Sequence, residues 1–416
     1  MKKEDFKIHI IGAGISGLIA AKVLEDNGFY PIIIEATNRV GGRVKTDIVD
    51  NYQLDHGFQV LLTAYPAAQK YLNFDALELQ EFLPGAAVFF NGKQKVLGDP
   101  LRKFSLLLPT LLSGIGTFAD KFKILKLNLN LKNTTVKTIF EKPEQTTYTY
   151  LIDLGFSEEM IAKFFKPFFS GIFLEDQLST SSRMFEFVYK MFGEGLATVP
   201  KSGIEAIPKQ LERNLKQTNF LFNTKVTSVE DHKITLTDGI QLESHFTIIA
   251  TEINGFLPQN PMQKTGWKSC ETFYFETNSK IINQPLIGLI SDKDALINNI
   301  FYTTGLETKT KGKKELLSVT IVKKHGLTPE LLKIQVENEL RKYCGIETIR
   351  CIKHYSIAKA LPHLKDIKYA KTPAATQWSD TIFLAGDTQL NGSLNAAMIS
   401  GENAAMGVVN AIHSTK

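Results

Sequence analysis

The chain has 416 residues, room for two or three domains at roughly 150 residues each. Its 43% hydrophobic and 22% charged residues are ordinary for a globular protein and exclude a disordered or fibrous one. Basic residues exceed acidic ones by 48 to 43, and a net charge of +5 on this length is too mild to point to nucleic acid.

At the N-terminus, Lys2 and Lys3 are followed at once by Glu4 and Asp5, and the apolar run that ends in Ile11 is too short for a secretory signal. Residues 7–11 (KIHII) predict a buried strand. Gly12-Ala13-Gly14-Ile15-Ser16-Gly17 follows, then a helix over 18–27 closed by Gly28, then a second strand over 31–35 ending in Glu35. A GxGxxG alone is weak, but a strand before it, a helix after it and an acid at the end of the next strand form a dinucleotide-binding unit. Gly12 permits the tight turn, Gly14 lets the backbone approach a pyrophosphate, and Gly17 lets helix and strand pack closely. The helix N-terminus offers amides and partial positive charge to the phosphates. Glu35 suits the hydroxyls of an adenosine ribose and repels a 2′-phosphate, which disfavours NADP.

Beyond Glu35 and Ala36, the segment 37–43 (TNRVGGR) sets Gly41 and Gly42 between Arg39 and Arg43. A nicotinamide dehydrogenase has no need of it, whereas two guanidiniums beside an extended FAD would neutralise its pyrophosphate. Surface arginines flanking a glycine turn are the plainer alternative. In 55–60 (DHGFQV), Gly57 allows backbone to approach a flat ring and Phe58 adjoins it.

Together these motifs resemble the amine oxidase/phytoene desaturase superfamily of FAD-dependent oxidoreductases. The C-terminus is similar to its closing motif: residues 381–387 (TIFLAGD) read as a strand followed by Gly386-Asp387, and 392–397 (GSLNAA) open a helix. The resemblance implies that Asp387 bonds the ribitol and that the Ser393 and Leu394 amides face the flavin. It further implies that Val226, in a strand over 222–226, flanks adenine, and that Ala250, in a strand over 248–251, lies beneath the FAD. Residues 165–171 (FKPFFSG) and Leu361-Pro362 look like motifs of a bacterial and plastid branch. FAD is expected to be noncovalent, since the surroundings of Cys351 do not match relatives with a flavin-linked cysteine.

The expected fold is α/β. A discontinuous Rossmann-like FAD-binding domain spans 1–75, 195–255 and 370–416, and a mixed α+β substrate domain spans 76–194 and 256–369. The first insert reads as mainly helical (101–112, 121–131, 159–165, 183–192). The second reads as strands around 273–275 and 316–322 with a helix over 328–343. Phenylalanines of the first insert suggest either an apolar tunnel or, in preference, core packing. Lys121, Lys123 and Lys126 among apolar neighbours suggest a solvated helix face in preference to one that rests on anionic lipid.

Catalytic side chains are not assigned. Lys268 is the positional counterpart of a lysine beside the flavin in monoamine oxidases, but a surface role is favoured. His56 is read as a hydrogen-bonded structural histidine, and Tyr355 and His363 as neighbours of Leu361-Pro362. No metal site is evident. Three cysteines, with no CxxC pair, exclude a disulfide scaffold and fit a reducing, cytoplasmic setting. Residues 104–118, broken by Pro109, fall short of the ~20 needed to span a bilayer. The reading favours an oxidase, desaturase or dehydrogenase that takes hydride from a C–N or C–C bond of an apolar small molecule, with oxygen, quinone or another carrier as acceptor. An FAD-dependent isomerase without net redox, or a lipid-binding protein such as the Rab GDP-dissociation inhibitors on the same fold, are the alternatives.

Overall fold

The computed structural model describes residues 2–99, 102–253, 256–257 and 266–414. Two sheets organise them. One is parallel, in the order Asn219–Leu221, Ile32–Ile34, Ile8–Ile11, Phe246–Ile249, Ile382–Leu384. Its central strand reads IHII, and Ile8 and Ile10 are fully buried. Such continuous apolar runs belong to strands covered on both faces. Ile10 sits opposite Ile33 on one side and Ile248 on the other.

Two helices bring their N-termini to the carboxyl end of this sheet. Ile15–Asp26 begins directly after Gly14, and Leu394–Ser414 begins after Ser393, whose Oγ accepts the Ala396 amide at 3.0 Å. The helices pack tightly because Gly401 meets Ser16; a Cβ on Gly401 would lie 2.2 Å from the Ser16 carbonyl oxygen. Gly17 is equally constrained, since its Cβ would lie 2.0 Å from the Gly12 oxygen.

The second sheet has seven strands, in the order Thr348–His363, Gly266–Thr277, Glu315–Ile321, Ile297–Tyr302, Ile287–Ile290, Gly85–Phe90, Lys93–Gly98. Its Phe273, Phe275, Val319 and Ile300 pack with Leu332 and Val336 of the helix Pro329–Glu339 in a separate core. The helices Leu107–Leu112, Phe118–Lys132, Lys166–Phe173 and Ser182–Glu194 form a further layer.

The first insert is mainly helical, as expected, and it also holds a hairpin that the sequence reading lacked: Gly85–Phe90 and Lys93–Gly98 extend the second insert's sheet. Asn91 and Gly92, with φ of +49° and +69°, make the two-residue turn such hairpins use. One sequence expectation is corrected: residues 222–226 are not a strand. The parallel strand ends at Leu221, and Val226 starts a separate three-stranded antiparallel sheet. Part of the expected helix over 101–112 falls on residue 101, outside the described residues, and its described part starts as the short turn Phe104–Leu106.

Candidate functional site

A cavity of about 1040 Å³ runs from the carboxyl end of the parallel sheet to the helical layer. At the sheet end its wall is built by the glycine turn. Gly12, with φ of +104°, donates its amide to the Ile34 oxygen at 2.8 Å and so joins two strands at the bend. Gly14 has an extended backbone (φ −72°, ψ 178°), and a Cβ added there would meet no atom within 4 Å. Space is therefore left open where the helix N-terminus faces the cavity, as a diphosphate requires.

Glu35 closes this end. Its Oε2 accepts the Ala13 amide at 2.8 Å, and its Oε1 accepts the amide and hydroxyl of Thr37 at 2.9 and 2.8 Å. Each carboxylate oxygen offers two lone-pair positions, so the group is oriented and retains capacity for ribose hydroxyls. Ile15, Ser16, Gly42, Arg43, Gly57, Phe58, Ala250, Gly386, Asp387, Ser393 and Leu394 complete this part of the wall. Two helix N-termini and the Arg43 guanidinium thus converge on one volume and favour an anion there.

Four of the residues expected to bind the cofactor lie off the wall. Gly17 is packed beneath the turn, and Ala36 is exposed. Val226 is buried among Ile11, Ile34 and Ile249. Arg39 is tied to Asp47, 2.8 Å from its Nη2, and to Glu205, 3.4 Å from its Nε. Its charge is spent on protein carboxylates. Arg43 and Asp387, expected to serve different parts of a dinucleotide, form an ion pair across the cavity.

Asp47 is the hub of a network absent from the sequence reading. It accepts from Arg39, from His56 Nε2 at 2.8 Å and from the Tyr355 hydroxyl at 2.9 Å. Burial opposes its ionisation, yet these bonds hold its carboxyl well below the usual range. The His56 ring packs against Tyr355 at 4.5 Å, so the cavity-lining imidazole is braced from two sides. Lys268 is half-buried, with Nζ 2.9 Å from Thr180 Oγ1, and it lies off the wall; burial lowers its pKa, partly offset by Glu175. His363 is exposed at a strand end opposite Gly266.

Sequence reasoning also missed a cover over Arg43. Its guanidinium lies over the Trp267 ring at 5.2 Å, and Trp267 Nε1 donates to Glu252 at 3.2 Å. Glu252 is paired in turn with Lys359. Trp267 adjoins Lys268 in sequence, and the alternation of a strand sends neighbours to opposite faces.

Toward the helical layer the wall becomes mainly apolar, with Arg102, Lys121, Asn128 and Tyr189 among its polar members. Phe58 packs on Phe82 and Phe301, with centroids 5.9 and 5.6 Å apart, and Phe164 stacks on Phe168 at 5.7 Å. Ile172, Val188 and Phe192 continue the wall. The insert's phenylalanines divide three ways. Phe82, Phe164, Phe168 and Phe169 line the cavity, Phe165 and Phe173 are core, and Phe104, Phe118 and Phe122 are exposed.

The cysteines offer no ready nucleophile to a cofactor. Cys351 lies off the wall, its Sγ near the Lys353 carbonyl, and Cys344 packs with the second core. Cys270 does line the cavity, but burial pushes its thiol up to about 12, so it stays protonated near neutrality.

Comparison with known proteins agrees with this geometry. The family described as flavin containing amine oxidoreductase matches residues 15–409. An L-amino-acid oxidase of Sistrurus catenatus edwardsii is 27% identical over 252 residues, 56% of this chain and 46% of that protein. The match thus spans about half the length of that relative. A flavin-containing amine oxidase of Danio rerio is 50% identical over 46 residues, 11% of this chain and 9% of that one. Among solved structures, a putrescine oxidase bound to putrescine superposes with a TM-score of 0.70 at 16% identity, covering 97% of this chain and 99% of that one. A CLA-producing fatty acid isomerase from P. acnes does so with 0.72 at 16% identity, covering 98% and 99%. At that identity the likeness establishes the fold. The chain belongs to the flavin-containing amine oxidoreductases, FAD-dependent oxidoreductases, and FAD is its cofactor.

Proposed function

We propose that the chain oxidises an apolar small molecule, removing hydride from a C–N or C–C bond in the phenylalanine-lined half of the cavity. The observation that carries this reading is continuity: one volume of about 1040 Å³ joins the anion-favouring end at Gly14 to the wall of Phe168, Ile172 and Phe192. FAD, when bound, supplies the hydride acceptor.

The chain's own residues hold and orient. Gly14 and the two helix N-termini would receive the diphosphate, Glu35 the ribose, and Arg43 with Asp387 the stretch between diphosphate and ribitol. Phe58, Phe168 and Ile172 exclude water and position the substrate by shape. His56, held by Asp47 and Tyr355, would keep a fixed polar face beside the flavin. On this reading the parallel sheet marks an FAD domain of 1–75, 195–255 and 370–416, and the seven-stranded sheet with the helical layer marks a substrate domain of 76–194 and 256–369.

A small polar amine would leave its polar groups unpaired against such a wall, which costs binding energy. The test is anaerobic bleaching of the flavin by a long-chain alkylamine and a polyunsaturated hydrocarbon, set against putrescine. Bleaching by either apolar compound supports the proposal. Bleaching by putrescine alone refutes it, and turnover without bleaching or acceptor consumption assigns an isomerase instead.

A further inference from the structure

The outward side of the cavity's far wall differs from the rest of the surface. The turn Phe104–Leu106 and the helices Leu107–Leu112 and Phe118–Lys132 stand between the cavity and solvent. Inward, Leu107, Ile124 and Leu125 line the cavity. Outward, Phe104 is 80% exposed, Phe118 78%, Phe122 68%, Leu112 68% and Leu108 65%. Scattered exposed apolar residues need no explanation, but five such side chains on three adjoining elements form a patch of the kind that marks an interaction surface.

Charge says which partner. Residues 102–132 carry six basic residues and one acid, five positive charges net, which equals the net charge of the whole chain. The single acid, Asp120, is fully buried and taken up by bonds from Thr117 and Ser157. Lys121 leans over the Phe118 ring with its Nζ on the Leu111 carbonyl, and Lys103 and Lys126 are exposed. Aromatic and leucine side chains ringed by lysines match an interface with apolar depth beneath an anionic surface. A second copy placed symmetrically would instead set five positive charges against five. No helix among the described residues is long and apolar enough to cross a membrane.

Leu111 connects the patch to the site, because it lines the cavity and is also 43% exposed. We propose that this face docks the protein peripherally on an anionic lipid bilayer, with Phe104, Phe118 and Phe122 immersed, so that an apolar substrate passes from the bilayer past Leu111 into the cavity. The face favoured on sequence grounds as merely solvated is thus assigned as the lipid-facing one. The route rests on the proposed apolar substrate, whereas docking is read without any substrate, so the two fail separately.

The test is flotation of the purified holoenzyme with extruded vesicles of equal parts phosphatidylcholine and phosphatidylglycerol, and with phosphatidylcholine alone. Flotation with the mixed vesicles, weaker on phosphatidylcholine, is expected. The triple variant F104S/F118S/F122S should retain flavin content and melting temperature while its vesicle partition falls about tenfold or more. The proposal is overturned if the wild type stays at the bottom with both vesicle types, or if the variant floats as well as the wild type. A patch-dependent dimer in sedimentation analysis without vesicle binding overturns it as well.

Discussion

Replacing Gly14 by valine separates cofactor retention from folding. The new Cβ enters open space, with no atom within 4 Å, and the backbone at φ −72° and ψ 178° is one that valine adopts readily. Gly14 is the N-cap of its helix, and trading it for valine there costs about 1 kcal/mol, offset in part by a stiffer unfolded chain. The isopropyl group, however, occupies the approach of the diphosphate to the helix N-terminus. Losing two charge-assisted bonds at about 1.5–3 kcal/mol each removes about 3–6 kcal/mol of binding, on the order of 10²–10⁴-fold in Kd. The assay is flavin absorbance per mole of purified protein beside a thermal melt. A colourless variant that melts cooperatively, short of the holoprotein only by the lost ligand stabilisation, is expected. Gly17→Ala is the contrast: its Cβ would sit 2.0 Å from the Gly12 oxygen, so the backbone must shift and a lowered melting temperature is expected. A Gly14→Val protein carrying its full complement of flavin would refute the reasoning.

Asp387→Ala removes the partner of Arg43 and one wall of the cavity; flavin retention should weaken by about 1.5–3 kcal/mol, read by ultrafiltration against added FAD. Burial raises the pKa of Asp55 to about 6, opposed by bonds from Thr46 and Ile204. An acid with a raised folded pKa contributes stability below its unfolded pKa and loses it as pH rises through the folded value. Its share therefore falls between about pH 4 and 6, by up to about 3 kcal/mol, and Asp55→Asn should flatten that part of the denaturation-versus-pH profile. Gly401→Val drives a side chain into the Ser16 carbonyl, and a loss of at least several degrees in Tm is expected because two packed helices must separate.

Legibility followed the range of the forces involved. The glycine turn, the strand ends at Glu35 and Gly386, and the helix N-termini are local devices, each written within a dozen residues, and the structure sets them where their spacing implies. The hairpin over 85–98 is equally local, with Asn91-Gly92 in its turn, but the sheet it joins is set by pairing with Ile287–Ile290, far along the chain. The fate of charges was only partly local. Arg39 meets the nearby Asp47 but also Glu205, and Arg43 meets Asp387, 344 residues away, because the fold brings distant segments together. The cover of Trp267, Glu252 and Lys359 arises in the same way. Whether a phenylalanine faces core, cavity or solvent depends on helix rotation in a layer, and composition carries no information on that.

The most direct test of the account is the absorbance spectrum of freshly purified protein, followed by anaerobic reduction and return to air. Oxidised-flavin bands that bleach on reduction and recover on oxidation are the predicted result, with fast recovery assigning oxygen as the acceptor and slow recovery a dedicated carrier. A colourless protein that also refuses added FAD would contradict the account and leave the cavity as a lipid-binding chamber.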